Sequence, residues 1–529
     1  MAEKHSGETA PPSKAGLLVQ DGPASSLESG VAEPSVHLGK GELEVIRIRE
    51  GNVVLRKLRG AEEWMDKKLH VEGTGAQRIL ESERHPPRLA NMIFFWLSML
   101  TSPSYVSMGI LGPRFGLSVN ESIWVTVLAV AFGSIIPAFT ATLCPQLGLR
   151  QIAASRFAFG IWGSKFCGFL NIIVNIGFGT INCIIAGQLL RGVSGDTLSD
   201  AVGIIIVLLG SYVISFFGFR VIHMYESVAW ILIFVLICVQ YGQAARYYSP
   251  TPGLSYVSAL DRSGAALSYF AILFGSSAAW CSMSGDYYVH YPPKTNKWLL
   301  FGLTWIGLTL PTAFIAILGN LYGGMVNTNS ELSTVYKTGG LGGLMMATMR
   351  PLGYSRFVAV MYALSFMGNE IAILYSSSLS IQLWGRHFMA VPRFVWNTLL
   401  AAISLGLGWG GRHSLESIIS NFLSLLGYWT ICFGVVLAIE AFWFRPRLGG
   451  YDIEGWQDQS RMPLGLAGCV TLAIAIGISF LGMDQTWFIG PVAKPIGSSG
   501  GDVGNYFVLV VVLFSYPVLR HLEIKHFGR

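Results

Sequence analysis

Phe178 and Asn182 stand four residues apart in the run NIIVNIGFGTINCIIAGQLL (171–190), so on a helix they share one face. An aromatic plate beside a carboxamide suits a flat heterocycle: the ring stacks on the plate while the amide donates to and accepts from its polar edge. Trp280, in AAWCSMSG (278–285), offers a second plate to clasp the ring from the other side. In ALSFMGNEIAILYSSSLSIQLWG (363–385), Asn369 and Glu370 lie well inside an apolar segment. An ionisable group at such depth is costly and points to a solute pathway or a proton relay, which makes Glu370 the candidate for proton coupling. Packing between helices is the alternative for each of these side chains. Asp286, in SGDYYVHYPPK (284–294), fits a gate or structural ion pair better than solute contact, and Glu440 an interhelical or snorkelling role.

These residues sit on elements that only a membrane explains. Of 529 residues, 52% are hydrophobic and 12% charged, and the mean hydropathy is +0.52, outside the range of soluble globular chains. A crossing helix needs about 20 mostly apolar residues. Twelve segments qualify, near 91–111, 121–143, 166–190, 201–218, 226–244, 263–284, 298–320, 355–383, 394–410, 415–443, 462–482 and 504–520. An even count puts both termini on one side, and Arg84, Arg88, Arg520, Lys525 and Arg529 assign that side to the cytoplasm. Residues 1–85 read as a polar tail with room for one surface helix, and 521–529 as a second, short tail.

The first span is interrupted by TSPS (101–104) and the sixth by GSSAAWCSMSG (275–285), five spans apart. That spacing predicts an inverted repeat of five plus five helices, 86–244 and 263–444, with two helices appended over 462–520. Broken backbone at membrane depth is tolerated where it lines a cavity. A proline kink between packed helices is the other reading of the first break.

Other chemistries find no residues. No nucleophile constellation, metal-ligand cluster or phosphate-binding glycine loop is present; GLGWGG and TGGLGGL neither follow a strand nor end in Lys-Ser/Thr. An enzyme, a cofactor, a bound metal and an ATP-driven pump are therefore not expected. The net charge of +6 comes from basic residues in short loops without base-stacking aromatics, so no nucleic-acid partner is expected either. The seven cysteines lie in or beside apolar stretches and read as small packing residues.

Several motifs together resemble the fungal purine–cytosine permeases of the nucleobase:cation symporter-1 family. They are LGLRQIAASRFAFG (147–160), GFRVIHMYESVAWI (218–231), AAWCSMSGDYYVHYP (278–292), RHFMAVPRF (386–394), NFLSLLGYWT (421–430) and GPVAKPIGSSGGDVG (490–504). The resemblance runs from about Pro86 to Pro517. It implies an all-α, leucine-transporter-like fold of twelve spans, with substrate held between spans one, three, six and eight and uptake across the plasma membrane driven by protons. It also implies that the span-one serine falls at Ser104, the span-three aromatic and amide at Phe178 and Asn182, and the span-six tryptophan at Trp280.

The span-eight pattern of such carriers, Ala-Asn-Asn-Cys-Pro-Asn before Tyr-Ser, is altered. Asn369 is kept, the second asparagine is Glu370, the proline is Ala372 and the last asparagine is Ile373. The tryptophan usual in span three is Phe178. Both changes point to a related ring with a different polar edge, to which Glu370 could pair through a basic group. The expected activity is therefore import of a nucleobase or related small heterocycle, with pyridoxine, carried by some members that the chain also resembles, as the alternative. A non-transporting nutrient sensor is the remaining one. The expected partners are that heterocycle, a co-transported proton and the bilayer.

Overall fold

The computed structural model describes residues 48, 50–69, 78–84, 86, 88–215, 219–249 and 258–529, with backbone alone for 62, 63, 65–69, 219–229 and 372. Most of the expected N-terminal tail, 1–47 and 70–77, and the end of the fourth span, 216–218, lie outside the described residues. Within the tail, helix α1 (Val53–Leu69) stands where one surface helix was expected. Its first turn is closed by Asn52, whose side chain accepts from the Val54 amide at 2.9 Å.

The first span is two helices, α2 (Asn91–Leu100) and α3 (Ser104–Gly109). They bend by 60° across Thr101-Ser102-Pro103. Proline removes an amide donor and disfavours helical backbone in the residue before it. Local hydroxyls serve the backbone there: Ser104 N donates to Ser102 Oγ at 3.4 Å, and Ser107 Oγ donates to Ser104 O at 2.6 Å. Span two is α4 (Val119–Gly133) continued by α5 (Ile135–Ala141). Span three, α6 (Arg156–Val193), is longer than expected: it starts with one turn ahead of a kink at Gly160 and continues from there. Spans four and five are α7 (Asp200–Ser215) and α8 (Phe219–Ala244).

The second half repeats this order. Span six, α9 (Ala259–Ala278), unwinds into two 3-10 turns, Ala279–Ser282 and Ser284–Tyr287. Span seven is α10 (Lys297–Thr328). An unexpected helix, α11 (Ser330–Ala347), follows it and contains the TGGLGGL run. Gly340 has φ 64° there, and the kink lets Gly342 N donate to Gln188 Oε1 at 3.2 Å, so these glycines serve a bend packed against α6. Spans eight to ten are α12 (Leu352–Gln382), α13 (Arg393–Gly411) and α14 (Leu415–Ile439). The last two are α15 (Leu466–Gly482) and α16 (Gly504–Phe527), joined through a small hairpin of β1 (Asp484–Gln485) and β2 (Phe488–Ile489). Among the described residues nine helices are long and apolar enough to cross a membrane, ten with the bent α2–α3 pair counted as one, and α7 and α15 are shorter apolar helices.

Packing sorts the helices into two groups. Spans one, two, six and seven pack on one another, and spans three, four, eight and nine do likewise. Each group takes corresponding helices from both halves, as five-plus-five symmetry requires. The first group is held by close backbone approach: a Cβ on Gly109 would lie 1.9 Å from Ala316 O, and one on Gly319 2.2 Å from Val106 O. It is also tied by a closed polar cycle. Tyr269 OH donates to Asn320 Oδ1 at 2.7 Å, Asn320 Nδ2 to Thr126 Oγ1 at 2.9 Å, and Thr126 Oγ1 meets Tyr269 OH at 2.9 Å. Large apolar side chains such as Trp124, Trp162, Leu310 and Phe514 face outward as a lipid-facing surface would.

Glu440 is interhelical and does not snorkel. It is 1% exposed and meets Arg445 at 2.6 Å, Arg520 at 3.1 Å and the Tyr516 hydroxyl at 2.7 Å. Arg520 pairs in addition with Glu523, which caps α15 through the Gly465 amide. This network joins the ends of spans ten, eleven and twelve.

Candidate functional site

Between the two groups lies a cavity lined mostly by apolar and aromatic side chains with a few polar ones, the usual make-up of a small-molecule site. All six side chains expected to meet substrate, Ser104, Phe178, Asn182, Trp280, Asn369 and Ile373, line it. The break of span one contributes Ser104 as the first residue of α3, and the unwound end of span six contributes Trp280. Helical spacing brings Phe178 and Asn182 to the wall from α6, and Asn369 and Ile373, also four apart, from α12. The two aromatic plates thus come from opposite groups.

Both plates are braced. Trp280 meets Trp96 edge-on, with centroids 5.7 Å apart at 89°. Trp96 is fully buried and its Nε1 donates to Tyr288 OH at 2.8 Å, which in turn lies 2.6 Å from Thr304 Oγ1. Phe178 meets Phe422 of α14 at 6.0 Å and 78°. Fixed plates lose little freedom when a ring enters between them.

Lining residues that sequence reasoning missed include Met99, Tyr105, Asn175, Met283 and Tyr287. Asn175 carried a readable signal, since 175, 178 and 182 follow the i, i+3, i+7 spacing of one helix face. Tyr105 is adjacent to Ser104 but reaches the cavity only because of the bend.

Glu370 does not line the cavity, which removes the expectation that it pairs directly with a group on the solute. It is fully buried, and neither carboxyl oxygen has a hydrogen-bond partner among the described residues. Lying next to Asn369 on α12, it turns toward α6, where a Cβ on Gly179 would sit 2.5 Å from Oε2 and 2.8 Å from Oε1. Gly179 directly follows Phe178, so the carboxyl group presses on the helix that carries the plate and the amide. Asp286 also stands apart from the cavity. Its Oδ1 accepts from the Gln151 amide at 2.6 Å and ties the end of span six to the connection between spans two and three.

Arg84 closes the same face. It is 8% exposed, and its Nη1 donates to Pro145 O at 2.7 Å and Tyr291 O at 2.9 Å. Ile79 N donates to Gly148 O at 2.9 Å, so the segment before span one is pinned across the ends of spans two and six.

A family profile described as "Permease for cytosine/purines, uracil, thiamine, allantoin" matches residues 79–504. The chain belongs to this permease family. It is 30% identical over 472 residues to the purine-cytosine permease FCY2 of Saccharomyces cerevisiae, an alignment covering 87% of this chain and 88% of that one. It is 29% identical over 532 residues to the vitamin B6 transporter TPN1 of the same organism, covering 90% and 92%. Among solved structures it is similar to Mhp1, a nucleobase-cation-symport-1 family transporter in a closed conformation with bromovinylhydantoin bound. The TM-score is 0.64 at 14% identity, over 86% of this chain and 96% of that one. The permease therefore has the leucine-transporter-like, all-α polytopic fold and is a multi-pass membrane transporter, not an enzyme.

Proposed function

We propose that the chain is a secondary active transporter that imports a nucleobase, purine or cytosine, or a related small heterocycle across the plasma membrane together with a proton, with twelve crossings and both termini cytoplasmic. One observation carries the reading: a cavity at the break of two helices where two braced aromatic plates, Phe178 and Trp280, come from opposite helix groups beside the carboxamides Asn182 and Asn369. A flat ring clasped there couples the groups, and rocking of one against the other would expose it to either side. Glu370 is the coupling carboxyl in this reading. It is buried without a hydrogen-bond partner among the described residues and touches Gly179 on the helix that carries Phe178 and Asn182.

A second reading, import of vitamin B6, is favoured by Ile373. This side chain lines the cavity where the resemblance to nucleobase carriers implies an asparagine, so a polar edge that needs that amide would be left unmatched, at about 1–3 kcal/mol. A pyridine ring stacks equally well on the two plates. The test is uptake by the full chain, in cells lacking their own nucleobase and B6 carriers, of radiolabelled adenine, cytosine and pyridoxine at acid and neutral pH. Saturable uptake of a base, faster at acid pH, is the expected result. Uptake of pyridoxine alone would favour the second reading, and no uptake of any of the three would sink both.

A further inference from the structure

Two asparagines stand one turn apart on α6, and their surroundings differ. Asn171 is fully engaged: its Nδ2 donates to Ser380 Oγ at 3.1 Å and its Oδ1 accepts from Ser282 Oγ at 2.6 Å, linking spans three, six and eight. Asn175 is 1% exposed, lines the cavity, and its Nδ2 has no hydrogen-bond partner among the described residues. A buried donor is nearly always paired in a native protein, so an unpaired one on a cavity wall has its partner in whatever fills the cavity.

Position gives this donor a meaning. Phe178 lies three residues beyond Asn175 and four before Asn182, so the plate is bracketed by one carboxamide on each side along the helix. Seven residues of helix span about 10.5 Å, and a hydrogen bond of about 2.9 Å at either end leaves about 5 Å between the two ring atoms that would receive them. That is wider than a lone six-membered ring. It suits a fused bicycle, or a single ring with an exocyclic polar group.

We propose that Asn175 is a second substrate-contacting amide, donating through Nδ2 to an acceptor on the edge of the heterocycle opposite the edge that meets Asn182. The inference rests on the reading of this cavity as the substrate site and deepens it. The site then selects rings with polar atoms on two opposite edges and discriminates against those with one polar edge only.

The experiment uses the full chain in carrier-deficient cells, with radiolabelled adenine as probe and unlabelled adenine, 1-deazaadenine, 3-deazaadenine and 7-deazaadenine as competitors. Each analogue lacks one ring acceptor. If pyridoxine is the ring carried, the pair is pyridoxine and 4-deoxypyridoxine. In the unaltered chain, the analogue missing the acceptor for Asn175 should compete about 5–10-fold less well than its parent. In Asn175→Ala, and in the smaller polar variant Asn175→Ser, that one penalty should collapse while those of the other analogues persist. Asn182→Ala should collapse a different penalty.

Unchanged competition ratios in both Asn175 variants would overturn the proposal, because a packing role lowers all competitors alike. Failure of both variants to reach the cell surface, read with a fluorescent C-terminal tag, would assign Asn175 to folding and overturn it too. An unaltered chain that takes up none of adenine, cytosine and pyridoxine would instead sink the reading of the cavity itself.

Discussion

Gly179 is where the proposed coupling carboxyl touches the substrate helix, and replacing it by alanine measures that contact. The added Cβ would lie 2.5 Å from Glu370 Oε2, 2.8 Å from Oε1 and 3.0 Å from Cδ. Such distances force movement, and overpacking of a buried site costs about 1–3 kcal/mol. Against this, alanine in a helix interior is better than glycine by about 1 kcal/mol. The net effect of Gly179→Ala alone therefore falls between about 0 and 2 kcal/mol, too wide to decide anything. A double-mutant cycle removes the ambiguity. In a Glu370→Ala background the clash is gone and only the propensity gain remains, so the same substitution should become neutral or stabilising. In Glu370→Gln, which keeps the shape, the clash should persist. The readouts are thermal unfolding of the purified protein and the KM for uptake, which should rise in Gly179→Ala because Phe178 and Asn182 move with the helix. An identical effect of Gly179→Ala in the unaltered and Glu370→Ala backgrounds would refute the contact and, with it, the route from Glu370 to the site.

Three further outcomes follow from the same geometry. Glu370→Gln should lower accumulation against a gradient and flatten the pH dependence of uptake, as followed by radiolabel uptake across a pH series; an unchanged pH profile would take Glu370 out of proton coupling. Glu440→Ala leaves buried Arg445 without its carboxylate partner and wholly buried Arg520 with Glu523 alone. A loss of about 3–5 kcal/mol is expected, visible as a lower melting temperature and less protein at the surface, with substrate affinity of the surviving fraction unchanged. Arg84→Ala removes charge-assisted hydrogen bonds to Pro145 O and Tyr291 O, each worth about 1.5–3 kcal/mol. Limited trypsin digestion at Arg78 and Arg88 should then be faster than in the unaltered chain, and equal rates would show that this segment is not held by Arg84.

What is legible in the sequence, and what is not, divides along one physical line. Prolines, glycines and hydroxyls at membrane depth announce a broken helix because local backbone chemistry alone demands it, and the breaks at Pro103 and beyond Ala278 are where that chemistry put them. The pair Phe178 and Asn182 was legible because helical spacing is a property of one segment. Which way a helix turns is not such a property. Glu370 has the depth of a functional carboxyl, yet its side of α12 is settled by Gly179 on another helix, so the sequence suggested contact with the solute where the fold gives contact with the wall. Asp286 was separated from the cavity by a partner, the Gln151 amide, that lies 135 residues away. The TGGLGGL run shows the converse. Its glycines suggested only what they could not be, and α11 came as a surprise because a kink at Gly340 becomes a helical feature only when Gln188 of α6 is there to receive it. Asn175 stands between these cases: its face was readable, but its unpaired donor became visible only once Asn171, one turn away, was seen to be satisfied. Function in this fold therefore concentrates where a side chain's partner is missing from its own helix, and a single chain read alone shows the side chains without their partners.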